Sequence, residues 1–82
     1  MSNNYKYDPE VYSGILGLSE DLADFYTSHD AYMKEASIKN RFAFEKKGRE
    51  LFFTVKHREV EGFLSPTEAE EFREYMKGLL DD

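Results

Sequence analysis

At Arg41 the hydrophobic period of this 82-residue chain changes from 3.6 to 2, and that change constrains the fold more than any other feature. Before it, Leu22, Phe25, Tyr26, Tyr32, Met33 and Ala36 recur at three- and four-residue intervals, the spacing of an amphipathic helix of about five turns ending near Ser37. After it, Phe42 and Phe44 alternate with Ala43 and Glu45, and Leu51, Phe53 and Val55 alternate with Phe52, Thr54 and Lys56. Alternation sends side chains to opposite faces of a strand. Lys46-Lys47-Gly48-Arg49 has the composition of a hairpin turn, with Gly48 supplying a positive φ. A second polar turn at His57-Arg58 leads to Val60, Gly62 and Leu64 on one face, with Glu61 and Phe63 on the other. These segments predict a three-stranded antiparallel meander.

Helix signals flank the alternating region. Asp8-Pro9-Glu10 combines an N-capping residue, a proline fit for the first helical position and an acid at the positive end of the dipole. Gly17 is placed to end that short helix in a left-handed conformation, and Ser19 to cap the next one. Ser65-Pro66-Thr67-Glu68 is a capping box opening a final helix, whose apolar stripe is Ala69, Phe72, Met76 and Leu79. The expected fold is therefore α+β, in the order α-α-β-β-β-α, with the meander packed with helices on one face. A flexible N-terminal arm, residues 1–7, precedes a single domain over residues 8–82.

Composition narrows the function. Seven Phe and six Tyr supply a core despite 34% charged residues, and the absence of Cys excludes disulfides, thiolate metal sites and thiol nucleophiles. The net charge of −6 is segregated. Residues 1–35 carry seven acids and two bases, residues 36–59 three acids and seven bases, and residues 60–82 seven acids and two bases. A basic segment thus lies between two acidic ones, a dipolar pattern suited to binding or assembly. Residues 1–7 lack the apolar run of a signal peptide, and no stretch is long enough to cross a bilayer. A cytoplasmic protein is expected, in a host cytoplasm if it is phage-encoded.

Catalytic patterns are weak. Ser28-His29-Asp30 holds the residue types of a hydrolase triad, but consecutive helical positions point about 100° apart and cannot align for proton relay. His29 and His57 have no partner spacing for a metal, and the glycines of Ser13–Ser19 lack the Lys-Ser/Thr ending of a phosphate loop. Glu68, Glu70, Glu71 and Glu74 suit a solvated helix face better than a paired-acid cleft. No enzymatic activity, cofactor or metal is expected.

The expected sheet has two apolar faces. Helices on one side bury Phe42, Phe44, Leu51, Phe53, Val55, Val60 and Leu64, which leaves Phe52 and Phe63 as an exposed patch for homodimerisation or partner docking. The alternative is that Tyr5, Tyr7 and Tyr12 fold over that face. The leading functional expectation is a small acidic protein-interaction module. Its acidic helices, through Glu20, Asp21, Asp24, Glu68, Glu70, Glu71, Glu74, Asp81 and Asp82, engage a basic, nucleic-acid-binding protein by partial DNA mimicry. In size and charge the chain resembles phage-encoded inhibitors of host DNA-binding proteins.

Two alternatives stand beside it. The first is nucleic-acid binding through the basic aromatic hairpin 39–58, with Arg41, Lys46, Lys47, Arg49, Lys56 and Arg58 as the cationic surface. Over about residues 19–80 the helix–three strands–helix order resembles the double-stranded-RNA-binding domain. That family places a lysine cluster at the start of its last helix, where this chain reads Ser65-Pro66-Thr67-Glu68-Ala69-Glu70-Glu71. The second is a self-assembling structural protein that docks acidic helices against basic hairpins.

Overall fold

Residues 38–60, expected as strands and turns, form one 23-residue α-helix in a computed structural model of the chain, which describes residues 5–81. The fold is all-α. A 3-10 turn at Pro9–Tyr12 precedes helices α1 (Leu18–Lys34), α2 (Ile38–Val60) and α3 (Pro66–Asp81), and the described residues contain no strand. The expected α+β class and its three-stranded meander are overturned.

The physical reason lies in α2 itself. Phe44, Gly48, Leu51 and Val55 are buried and fall at helical spacing on one face. Phe42, Phe53 and Val60 fall on the opposite face and are exposed. Two apolar stripes half a turn apart place large side chains at alternating positions, so their sum imitates the period of a strand. Gly48 is not a turn residue either. It sits mid-helix, where a β-carbon would stand 3.2 Å from both Leu80 Cδ1 and Phe25 Cε1, so its lack of a side chain lets α1 and the end of α3 approach α2 closely.

The end signals behave as their chemistry dictates. Asp8 caps the 3-10 turn, its carboxylate accepting from Glu10 N–H at 3.0 Å. Gly17 is left-handed, φ 80°, but it opens α1 as its N-cap in place of Ser19; the short helix it is expected to end is only the 3-10 turn Pro9–Tyr12, which closes at Ser13. Ser37 caps α2 by accepting from Asn40 N–H at 3.1 Å. Asn40 Nδ2 in turn donates to the carbonyl of Glu35 at 2.9 Å, closing the α1–α2 corner. The Ser65–Glu68 capping box forms in both directions: Glu68 N–H donates to Ser65 Oγ at 3.1 Å, and Ser65 N–H to Glu68 Oε1 at 2.9 Å.

Helix α2 is the centre of the bundle, with α1 and α3 packed on its inner face. Leu18, Leu22, Phe25, Phe44, Leu51, Val55, Leu64, Ala69, Phe72 and Met76 make one continuous core. Four residues of the expected N-terminal arm lie outside the described ones; Tyr5 and Tyr7 pack on the bundle. Tyr5 stacks on Tyr26 of α1 with ring centroids 3.9 Å apart, and Tyr7 on Phe72 of α3 at 4.4 Å. Tyr26 Oη donates to the carbonyl of Tyr7 at 2.9 Å, and Lys6 N–H donates to Tyr75 Oη at 2.8 Å. The N-terminal segment therefore joins α1 to α3.

Candidate functional site

The outward face of α2 leaves several large apolar side chains open to solvent. Ile38, Phe42, Phe53 and Val60 are exposed by 90%, 62%, 64% and 75%. Phe42 and Phe53 lie about three turns and about 16 Å apart along the axis, within about 20° of one line. Lys46 and Arg49 stand between them, and Lys39 and Lys56 flank the row. All four cations are exposed, and none forms an ion pair among the described residues. His57 packs its ring on Phe53, centroids 4.1 Å apart. A shallow depression beside Phe53 is walled by Asp21, Thr54, Arg49 and Glu50.

The other bases of the expected cationic surface are occupied inside the chain. Arg41 pairs with Glu45 at 2.9 Å and donates to the carbonyl of Leu80 at 2.7 Å. Lys47 lies 3.8 Å from Asp24 and 3.4 Å from Glu50. Arg58 pairs with Glu61 and donates to the carbonyl of Leu16 at 2.9 Å, fastening the loop before α1. The structure thus separates the six predicted bases: Lys46, Arg49 and Lys56 face solvent on one helix face, while Arg41, Lys47 and Arg58 hold elements together.

Several of the predicted acidic residues also have structural duties. Asp21 accepts from Thr54 Oγ1 across the α1–α2 contact, and Asp24 faces Lys47. Glu68 completes the capping box, Glu70 lies 3.3 Å from Arg73, and Glu74 lies 3.7 Å from Lys77. Glu20, Glu71 and Asp81 make no ion pair among the described residues, and Asp82 lies outside them. Arg73 also reaches Glu59 of α2 at 3.1 Å, and this hydrogen bond holds the guanidinium more firmly charged than usual.

Phe52 and Phe63 are not cross-strand neighbours, because the sheet that would have paired them does not exist. Phe52 is half-buried on α2 against the core, and Phe63 is exposed in the α2–α3 connection. Of the expected triad, Ser28 Oγ donates to the carbonyl of Phe25 at 2.8 Å and takes no part with His29. His29 Nδ1 and the Asp30 carboxylate instead meet Tyr5 Oη, the former at 2.9 Å. Burial, and then the bond to Asp30, raises the Tyr5 hydroxyl pKa well above the ordinary phenol value. This cluster anchors the N-terminal segment.

Sequence reasoning placed Phe42 and Phe53 in the core and so missed their exposure. The signal was present: positions 42, 46, 49, 53, 56 and 60 follow a four-three spacing along one helical face. Among the described residues no three His, Asp or Glu side chains converge as a metal would require, and no helix is long and apolar enough to cross a membrane. No protein-family model matches the chain, and no curated protein or solved structure matches it either.

Proposed function

We propose that the chain is a small non-catalytic protein-interaction module, working in the cytoplasm, with the outward face of α2 as its docking surface. The observation that supports this reading is the exposed row Phe42–Lys46–Arg49–Phe53, whose cations have no partner among the described residues. Aromatic anchors supply affinity when a partner covers them, and charges around them set register. The partner surface must bring apolar contacts to Phe42 and Phe53 and acids to Lys46 and Arg49.

A protein fits this face better than a lipid surface. Lys46 and Arg49 lie inside the apolar row rather than beside it, so sinking the row into hydrocarbon would drag both charges with it. It also fits better than single-stranded nucleic acid. The two aromatic rings stand about 16 Å apart along the axis, too far to stack successive bases. Engagement of a basic partner by the acidic helices is the weaker reading, because Asp21, Asp24, Glu70 and Glu74 already face donors within the chain.

The test places a photo-crosslinking amino acid at position 53 or, separately, at position 71 of the full chain in cells that make it. Protein adducts from position 53 and none from position 71 support the reading. Adducts from position 71 alone move the working surface to α3 and overturn it, as do adducts at 53 that contain only nucleic acid or lipid.

A further inference from the structure

The order of residues along the exposed face of α2 is pseudo-palindromic, and from it we infer that the partner is a second copy of this chain, with the two α2 helices antiparallel. This rests on the docking surface proposed above and names its occupant. Outward from the bond between Lys47 and Gly48, the same chemistry recurs in both directions: a base (Lys46, Arg49), an acid (Glu45, Glu50) and an exposed phenylalanine (Phe42, Phe53). A two-fold axis at that midpoint sets Phe42 of one protomer opposite the partner's Phe53, and Phe53 opposite the partner's Phe42.

Charges fall into register in the same arrangement. A two-fold axis keeps each flank of one antiparallel helix beside the same flank of the other. Glu45 and Arg49 share one flank, and Lys46 and Glu50 the other, each pair at the i,i+4 spacing. Arg49 then comes level with the partner's Glu45, and Lys46 with the partner's Glu50, within about 1.5 Å along the axis. The two Arg49 side chains share a flank about 4.5 Å apart along it, with a Glu45 carboxylate outside each.

Glu45 and Glu50 are available for this exchange. Their side chains are 44% and 45% exposed, and their in-chain pairs with Arg41 and Lys47 are surface bridges. Opposed helix dipoles also favour the antiparallel sense. The contact is isologous, so it closes as a dimer and leaves α1 and α3 on the outside of the pair.

Sedimentation of the full chain up to about 0.5 mM is expected to show a monomer–dimer equilibrium. The double variant Lys46→Glu, Arg49→Glu and the double variant Glu45→Lys, Glu50→Lys should each self-associate at least about tenfold more weakly. Mixed one to one they should dimerise again, which also shows that both fold. A variant with Glu70→Lys and Glu74→Lys on α3 carries the same charge change as the second and should not rescue the first.

Direction is read by thiol crosslinking in this cysteine-free chain: Lys39→Cys and His57→Cys should be joined by a short bismaleimide when mixed, and not when each is alone. A wild-type monomer throughout, double variants that dimerise like wild type, or crosslinking of each thiol variant with itself would overturn the inference. A wild-type monomer whose position 53 still crosslinks to other proteins would overturn the dimer and leave the docking surface standing.

Discussion

Gly48 lies so close to Leu80 that a β-carbon on it would stand 3.2 Å from Leu80 Cδ1, with Phe25 Cε1 equally near. The Leu80 methyl ends a half-buried side chain and can yield; Phe25 is fully buried and stacked on Phe44. Gly48→Ala gains about 1 kcal/mol of helix propensity and loses about 1–3 kcal/mol to overpacking, so a net loss of about 1 kcal/mol is expected in urea unfolding. Gly48→Val lacks that compensation and should lose more than about 3 kcal/mol. If valine were tolerated as well as alanine, the close approach would be wrong.

The capping box at the start of α3 is a local feature with a local cost. Ser65→Ala removes the acceptor for Glu68 N–H and should destabilise by about 1 kcal/mol, with most of the change in the unfolding rate if α3 docks late. Stopped-flow unfolding of wild type and variant measures both quantities.

Alkaline pH should loosen the fold through its tyrosines. Burial, above all other influences, raises the pKa of Tyr5, Tyr12 and Tyr26 in the folded chain. Each therefore holds a proton that the unfolded chain releases near about pH 10. The stability they contribute is fully present below that pH and is lost as pH rises toward the folded values. Tyr26→Phe should lose about 1 kcal/mol at neutral pH with its bond to the Tyr7 carbonyl, and show a shallower decline above about pH 10. Urea midpoints at pH 8 and pH 10.5 check the sign; a stability that rises between them would contradict it.

Phe53→Ser should separate stability from binding. At 64% exposure Phe53 contributes little to the core, so the midpoint of unfolding should move by less than about 0.5 kcal/mol. Self-association should fall sharply. A large loss of stability would mean that Phe53 is packed within the monomer.

Much of the local structure was legible in the sequence because it is written in short-range chemistry. Asp8-Pro9 and Ser65-Pro66-Thr67-Glu68 start elements as their side chains require, Gly17 takes the expected left-handed conformation but opens α1 instead of ending a helix before it, and the stripe Ala69, Phe72 and Met76 is buried on α3. In the middle of the chain α2 carries apolar residues on two faces, so its helical periodicity is masked by an apparent alternation through Phe42, Phe44, Leu51, Phe53 and Val55. Gly48 adds to the resemblance to strands, since a glycine between charged residues has the composition of a turn, and only the presence of Leu80 and Phe25 beside it reveals a packing notch. The basic character of the segment is plain in the sequence, but which of its bases are free depends on tertiary partners that spacing cannot supply.

The bond from Lys6 N–H to Tyr75 Oη closes a loop spanning a sequence separation of 69. Contacts of that range form after local ones during folding. On the ribosome, α1 and α2 can meet as a hairpin while Tyr7 waits for α3 to emerge with Phe72 and Tyr75. Until it does, an aromatic surface intended for the interior stays open to water, and a chain stalled at that stage is the form most prone to aggregate.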